Sequence, residues 1–410
     1  MFGDISPRYH PLTPETVPAY IRTRKELEAV FRPEDALEAV EVGDGNLNLV
    51  FKVWAKADPR RTVVLKQALP YVRLVGDSWP LPTDRARIEA QALEIHGRLV
   101  PQHTPRVYFY DADMYLVCMQ NLIDHIIMRK GLIQGIKYPH FAEHIGLFMA
   151  RTLGMTSDLV LDYRAKKVEV ARFINPELCK ITEDLIFTEP YRQTERNRFH
   201  AELEPQVVAL QADTGLHLEV AQLKEKFMTQ AQALVHGDLH TGSIMVNQTD
   251  TYVIDPEFAY YGPMGFDVGA VIGNLLLNYA AHEVRTTDPE KRADFRTYLT
   301  DTIIQVWQVF VREFQPIWDR ADVIDMPRLY QQDYMRRVLQ DTVGFGACKM
   351  MRRVIGLAGV EDIRGIESVK DRTTAASLAL NIAVSMVKAR HHITRIEEVV
   401  EMATAARPSM

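Results

Sequence analysis

Two short apolar runs, each ending in a cluster of polar groups, constrain this chain more than anything else in it. The first lies in Leu234-Val-His-Gly-Asp-Leu-His-Thr-Gly-Ser-Ile-Met-Val246, and Thr251-Tyr-Val-Ile-Asp-Pro-Glu257 follows almost at once. The run ending at Val235 hands over His236, Asp238 and Ser243; Tyr252 to Ile254 hands over Asp255 and Glu257. In an extended backbone residues i and i+2 point to one side, so Asp255 and Glu257 are expected to aim two carboxylates at one point. Pro256 donates no hydrogen bond and stiffens that geometry. Oxygen ligands of this kind suit a hard divalent cation such as Mg²⁺. Asp238, one hairpin away, is placed to accept a proton from a hydroxyl.

One carboxylate for a nucleophile, with others for a metal bridging nucleotide phosphates, is the layout of phosphoryl transfer. The pattern His-x-Asp-x-x-x-x-Asn, with a metal-binding Asp on the next hairpin, marks kinase-like catalytic loops. His236-Gly-Asp238 fits it up to the last position, where Ser243 replaces Asn. A plain polar turn made by Asp238 and His240 is the blander alternative, and acidic groups after two apolar strands at this spacing weigh against it. A zinc site on His236 and His240 finds no support, since neither His-Glu-x-x-His nor paired Cys-x-x-Cys is present.

Length and composition bound the rest. A chain of 410 residues can bury large cores and divides naturally into two lobes. Its 47% hydrophobic and 25% charged residues are ordinary for a globular protein. A formal net charge of −6 provides no general attraction for nucleic acid or an anionic membrane. Cys118, Cys179 and Cys348 are too few and too scattered for a disulfide framework, and read as buried apolar residues in a reducing compartment. Met1 to Tyr20 carries prolines and Asp4 where a signal peptide needs an apolar core. The longest apolar run, Val268 to Ala281, is interrupted by Asn274 and too short to span a bilayer. The expectation is a cytoplasmic protein.

In chain order, residues 1–40 suggest a polar lead-in and a helix starting near Thr16 or Pro18 and broken by Pro33. Val42-Gly-Asp-Gly-Asn-Leu-Asn-Leu-Val-Phe-Lys-Val53 reads as strand, Gly-rich turn, strand. Gly43 and Gly45 could cradle a phosphate or simply turn a hairpin, and Asn48 stands near the third glycine of the kinase pattern. The next run, Thr62 to Gln67, carries Lys66, where kinases place the lysine that holds nucleotide phosphates. A loop from Pro70 to Thr83 holds Trp79, a lid or a packing anchor. Thr83 is the expected cap of a helix running to about His96, on which Glu89 is the first choice and Glu94 the second as partner of Lys66. Arg106–Tyr110 and Met114–Met119 pair around Asp111. Gln120-Asn121-Leu122 then crosses between lobes and offers backbone groups to an adenine edge. Beyond Ile123 periodicity predicts helices over Pro139–Met155, Leu216–Ala233, Asp267–Ala281, Lys291–Phe314, Tyr330–Ile355 and Asp371–Lys388. Asp267 can be an N-cap, a brace of the catalytic loop, or both. Arg352 and Arg353, in apolar surroundings, offer donor forks to hydroxyls and phosphates or pair with a structural acid.

With these residues laid out, the chain resembles the 5-methylthioribose kinase family, within the wider aminoglycoside and choline kinase group. The resemblance runs from Tyr9-His-Pro-Leu12 to the last helices. Its marks are Gly43-Asp-Gly-Asn-Leu-Asn48, Gly76-Asp-Ser-Trp-Pro80, Asp84-Arg-Ala-Arg-Ile-Glu89 and Arg129-Lys-Gly-Leu-Ile133. His236-Gly-Asp-Leu-His-Thr-Gly-Ser243, Asp255-Pro-Glu257 with Tyr261-Gly-Pro263, and Arg352-Arg353 complete them. The wider group has Asn for Ser243 and Asp-x-Asp for Asp255-Pro-Glu257; the methylthioribose enzymes share both departures. Gln120-Asn121 departs from an acidic pair usual at that place.

The resemblance implies an α+β, bilobal protein-kinase-like fold, with a β-rich N-lobe over residues 1–119 and a helical C-lobe over 120–410. It implies transfer from ATP to O1 of 5-methylthioribose, in methionine salvage. Asp238 would bind the sugar and act as base; Asp255 and Glu257 would hold Mg²⁺. Asn48, Lys66, Gln120, Asn121, Leu122 and Asp255-Pro256-Glu257 would line the ATP site, with Arg352 and Arg353 on the sugar. Glu89, His236, Ser243 and Asp267 would support them. Similar enzymes are homodimers. The alternatives are a kinase for another small alcohol (an aminoglycoside, choline or homoserine) and a non-catalytic nucleotide-binding protein.

Overall fold

The computed structural model describes residues 5–43, 47–72, 76–320 and 327–409, apart from the side chains of 72–79 and 320. Gly45 and the Trp79 side chain therefore lie outside the described residues. The chain forms two compact units, Met1–His125 with Tyr252–Ala259, and Ile126–Thr251 with Tyr260–Met410.

The first unit holds α1 (Val17–Arg22), β1 (Leu37–Glu41), β2 (Asn48–Ala55), β3 (Asp58–Ala68), β4 (Tyr71–Val72), β5 (Gly76–Pro80), α2 (Arg85–Leu99), β6 (Val107–Asp111) and β7 (Leu116–Gln120). Five strands make an antiparallel sheet in the order β1-β2-β3-β7-β6. Its two faces follow from the period of two along each strand. Phe51, Val53, Val63, Leu65, Leu116 and Cys118 pack on one face with Val17 and Ile21 of α1. Ala68, Val117 and Met119 pack on the other with Ala86, Ala90 and Leu93, which recur at helical spacing on α2. Asn48 is opposite Ala68 and Val50 opposite Lys66, so Asn48 and Lys66 stand on the face that α2 covers.

Some local expectations are corrected here. The first helix ends at Arg22, well short of Pro33, and a 3₁₀ turn at Lys25–Leu27 follows it. Thr83 does not cap α2: the helix starts at Arg85, and Asp84 makes no side-chain cap. The Asp84 carboxylate is committed to Arg87, which donates Nε and Nη2 to its two oxygens at 2.7 Å each. The segment after Pro70 is a short antiparallel pair, Tyr71 opposite Pro80, rather than an open loop.

The second unit holds β8 (Ile126–Ile127), α3 (Met128–Ile133), α4 (Phe141–Met155), α5 (Tyr163–Arg172), α6 (Pro176–Phe187), α7 (Glu204–Ala212), α8 (Thr214–Thr229), β9 (Ala233–Val235) and β10 (Ile244–Val246). The chain then passes through β11 (Thr251–Val253), whose last two residues belong to the first unit, and the second unit resumes with β12 (Tyr260–Gly262), α9 (Gly265–Arg285), α10 (Pro289–Arg320), α11 (Arg328–Ile355), α12 (Glu361–Arg364), α13 (Val369–Ala389) and α14 (Glu397–Ala405). The expected helix Leu216–Ala233 stops at Thr229, because the chain is extended again at β9. The helix expected to end at Phe314 continues to Arg320 through Pro316. Proline deletes one helical hydrogen bond there, and burial of Ile317 and Trp318 keeps the last turn in place.

Every residue of α9 from Gly265 to His282 is buried. None of the described helices is long and apolar enough to cross a membrane. Small residues let α9 and α11 meet backbone to backbone: a Cβ on Gly269 would stand 2.5 Å from Thr342 O and 2.7 Å from Gly346 N, and one on Gly273 2.6 Å from Gly346 O. This close approach sets the start of α9 against the middle of α11, from Asp341 to Gly346, and Lys349 follows on the next turn of α11.

Gly269→Ala should therefore destabilise the fold by about 1–3 kcal/mol, because backbone has to move apart. Gly97→Ala on α2, whose nearest neighbour is Thr104 Cγ2 at 4.0 Å, should be neutral or stabilising. Urea midpoints of the two variants measure the contrast, and equal midpoints would contradict the close crossing.

Candidate active site

In the first unit β3 carries Lys66 and α2 carries Glu89 to the same point. Lys66 Nζ lies 3.0 and 2.8 Å from the two Glu89 oxygens and also donates to Asp255 Oδ1. The pairing with Glu89 follows the expectation, and Glu94 faces solvent. Arg85, one helical turn before Glu89, is 1% exposed. It donates to Leu47 O at 2.8 Å and to Asn48 Oδ1 at 3.0 Å, and its Nε lies 3.4 Å from Glu257 Oε2. Asn48 Nδ2 donates to the same Glu257 oxygen at 2.9 Å. Glu257 is thus oriented by a buried amide and a buried guanidinium.

Asp255 and Glu257 do converge, though by a different route from strand alternation. The strand has ended at Val253, and Asp255 has φ 70°, in the left-handed region. Pro256 disfavours the right-handed helical region for the residue before it, and Asp is among the few side chains that tolerate the left-handed one. A conformation of this kind costs of order 1–3 kcal/mol and is found where function needs it. Glu89, Asp255 and Glu257 each offer a carboxylate oxygen, all within 4.8 Å of one another. An all-oxygen donor set fits a hard cation such as Mg²⁺ and not a soft one.

Three carboxylates against Lys66 and Arg85 leave this cluster with an excess of acid. Burial works against the Lys66 charge, but Asp255, Glu257 and Glu89 outweigh it and hold the lysine protonated far above its ordinary range. Burial pushes the Glu89 carboxyl up, with Asp255 and Glu257 adding to the rise and Lys66 opposing it. The Gln120 N–H is committed to Arg106 O at 2.8 Å, while Asn121 Nδ2 donates to Thr62 Oγ1 at 3.0 Å. Leu122 is buried and its carbonyl accepts from His125 N at 3.3 Å.

In the second unit the loop after β9 is pinned by α9. Asp267 accepts His236 N at 2.6 Å and Gly237 N at 3.1 Å. It lies inside the first turn and does not cap the helix, whose N-cap position is Met264; of its two expected roles, bracing is the one seen. Gly237 has φ 84°, where a side chain would be strained. Asp238 N donates to His236 Nδ1 at 3.2 Å, and Ser243 Oγ donates to Asp238 O at 3.0 Å. The loop is therefore closed on itself before any ligand arrives.

The Asp238 carboxylate looks out from this frame, its side chain 24% exposed. His240 Nε2 lies 3.2 Å from Oδ2, Lys349 Nζ 3.7 Å from Oδ1 and Arg353 Nη2 4.0 Å from Oδ1. Burial alone would raise Asp238; His240, Lys349 and Arg353 outweigh it and hold the carboxyl well below the usual carboxylate range. Burial drives His240 down to about 3 despite Asp238. Its Nδ1 accepts Gly242 N–H at 3.0 Å, which assigns the neutral Nε2–H tautomer. His240 therefore holds Asp238 by a hydrogen bond, and the compensating charges are Lys349 and Arg353.

Arg352 and Arg353 both donate to Ala358 O, at 3.1 and 3.2 Å. Arg129 N donates to Thr241 O at 3.1 Å; its guanidinium reaches Asn274 Oδ1 at 3.2 Å and lies 3.3 Å from Asp362 Oδ2. Arg85, Arg129, His240 and Lys349 had no assigned role from sequence. The signal for two of them was available: Arg85 is four residues before Glu89, and Lys349 three and four before the arginine pair, spacings that share a helix face.

The His240 shift has a sign. A histidine whose folded pKa is depressed contributes stability above its unfolded value of about 6.5, and loses it as pH falls toward the folded value. His240→Gln, which does not titrate, should lose less stability than the parent between pH 6.5 and 4.5. Urea midpoints at both pH values test this; parallel losses would show His240 protonated in the fold.

The profile of the phosphotransferase enzyme family matches residues 38–300. Methylthioribose kinase of Geobacillus kaustophilus (strain HTA426) is 44% identical, over 95% of this chain and 96% of its own. Methylthioribose kinase 1 of Oryza sativa subsp. japonica is 42% identical, over 96% of this chain and 94% of its own. Choline kinase of Cryptosporidium parvum superposes with a TM-score of 0.52 at 12% identity, over 95% of this chain and 99% of its own, a likeness of fold alone. The family match and a similarity that runs along nearly the whole chain agree: the chain is a small-molecule kinase, a member of the methylthioribose kinases within the phosphotransferase enzyme family.

Proposed function

We propose that this chain transfers the γ-phosphoryl group of ATP to O1 of 5-methylthioribose, forming 5-methylthioribose 1-phosphate in methionine salvage. The observation that carries it is the Asp238 carboxylate, kept ionised by His240, Lys349 and Arg353 on a loop pinned by Asp267, in a chain that matches methylthioribose kinases along nearly its whole length.

Lys66, oriented by Glu89, donates to the nucleotide phosphates, as kinase lysines do. Asn48 and the segment Asp255-Pro256-Glu257 complete the phosphate side, and Gln120, Asn121 and Leu122 the adenine side. Asp255 and Glu257 hold Mg²⁺, which when bound neutralises phosphate charge. Arg352 and Arg353 present donors to the sugar. Asp238 accepts the hydrogen bond of the anomeric hydroxyl and so points its oxygen at phosphorus. As the O1–P bond forms, the bond from the γ-phosphorus to ADP breaks and the hydroxyl proton passes to Asp238. Because its proton affinity is low, Asp238 orients the nucleophile first and takes the proton late, as a loose transition state allows. The cytoplasmic location and the homodimer expected from the resemblance go with this proposal.

ADP release with Mg²⁺-ATP should be strong for methylthioribose and weak for ribose, choline, homoserine and kanamycin. Preference for another of these alcohols would keep the kinase and discard the salvage role. Asp238→Ala should lower kcat by about 10²–10⁴-fold, the range of general-base loss, with the fold retained; substantial turnover would remove Asp238 from the mechanism. Glu257→Ala should raise the Mg²⁺ concentration needed for half-maximal rate, and an unchanged requirement would argue against its role as ligand.

A further inference from the structure

Lys349 is a buried cation without a hydrogen-bond acceptor. Its side chain is 4% exposed, and Nζ has no hydrogen-bond partner. One side of the ammonium is closed by the Phe266 ring, whose centre lies 3.9 Å away. Asp267 spends both of its oxygens on the His236 and Gly237 amides. Arg352 and Arg353, one turn further along α11, bring only like charge. Among the described residues the carboxylate oxygen within 4 Å of the ammonium is Asp238 Oδ1, and 3.7 Å is too long for a hydrogen bond.

A buried ammonium that makes no hydrogen bond lowers stability, and an apolar side chain of similar length would pack in the same space. Packing therefore gives no reason for a lysine here. The geometry does give one. Two polar atoms 3.7 Å apart leave a notch in which one oxygen can stand about 2.8 Å from both. That oxygen would accept from the ammonium and donate to the carboxylate, which is the hydrogen-bonding pattern of an alcohol.

We propose that Lys349 is a catalytic residue of the transfer: the acceptor hydroxyl oxygen binds in the notch between Lys349 Nζ and Asp238 Oδ1. The inference rests on the assignment of Asp238 as proton acceptor. As the oxygen bonds to phosphorus its proton passes to Asp238, and the ammonium, keeping its own protons, stabilises the charge developing on that oxygen. A preorganised donor aimed at developing charge in a dry site is the usual source of such stabilisation.

A pH signature follows. Burial lowers Lys349 to about 8, with Asp238 and Asp267 opposing and Arg352 and Arg353 assisting. Above that pH the ammonium is lost, so kcat/KM for the alcohol should fall. Of the other groups facing the notch, Asp238 is ionised and His240 neutral well below neutrality, and Asp267 is a carboxylate whose rise is opposed by His236, Lys349 and two amides. Burial lowers Arg352, and lowers Arg353 well below its ordinary range, but a delocalised guanidinium keeps its proton where an ammonium loses one, and Arg129 is the remaining cation.

The test is steady-state kinetics with 5-methylthioribose and Mg²⁺-ATP from pH 6.5 to 9.5 on the parent, Lys349→Met, Lys349→Arg and Asp238→Asn. Lys349→Met should cut kcat/KM for the alcohol by about 10²-fold at neutral pH, leave KM for ATP unchanged, and flatten the fall above pH 8. Its melting midpoint should be no lower than the parent's. A folded Lys349→Met with unchanged kcat/KM and an unchanged basic limb overturns the inference, the notch then holding water only. If Lys349→Met does not fold, Lys349→Arg decides: a cation that stays charged should abolish the limb above pH 8, and a retained limb overturns the inference. Loss of activity in Asp238→Asn beside intact Lys349 variants refutes this inference alone. Full activity in Asp238→Asn removes the assignment of Asp238 and this inference with it.

Discussion

Two backbone amides, His236 N and Gly237 N, donate to the one buried carboxylate of Asp267, and the rest of the second unit's chemistry depends on that contact. It holds Gly237 in a left-handed turn, and the turn aims the next side chain, Asp238, away from the strand. Burial raises Asp267 against the pull of His236 and Lys349, so a short carboxylate reaching two amides is expensive to place and easy to lose. The helix that carries it is buried from Gly265 to His282, which leaves that carboxylate little freedom. Apolar packing thus supplies the rigidity and two hydrogen bonds convert it into a direction.

The same packing decides which charges surround Asp238. Glycines at 269, 273 and 346 let α9 and α11 approach until a single Cβ would collide with backbone. That distance places Lys349 over the ring of Phe266, on the first turn of α9, and within reach of Asp238. Larger residues at the crossing would move the ammonium away from the loop. Here a backbone-to-backbone helix contact sets an electrostatic property of the Asp238 carboxylate.

In the first unit the logic is an imbalance of charge. Glu89, Asp255 and Glu257 face Lys66 and Arg85, and one acid is left over. An excess of acid holds Lys66 protonated and raises Glu89; it also makes the cluster receptive to a cation. Asn48 and Arg85 fix Glu257 from the buried side, so its geometry does not wait for a ligand. The left-handed Asp255 adds a strained backbone at the same point.

Local pattern was enough for much of this. Period-two alternation put Lys66 on a strand, and helical spacing put Glu89 on the helix beside it. The spacing of His236, Asp238 and Ser243 marked the polar loop between β9 and β10, and the small turn before α9 marked Asp267. These are short-range properties, and backbone geometry alone transmits them. What local pattern misjudged was also local: α2 has no Thr83 cap because Asp84 is taken by Arg87, and α10 runs through Pro316 because Ile317 and Trp318 are buried. The convergence of Asp255 with Glu257 was legible, while the left-handed turn that produces it was not. Only the tertiary structure decided that Asp267 braces the loop, that Arg85 grips Glu257, that His240 is neutral and that Lys349 faces Asp238. Each of those depends on a distance between residues far apart in the chain, set by how closely two packed elements approach, and no pattern along one strand or helix contains that distance.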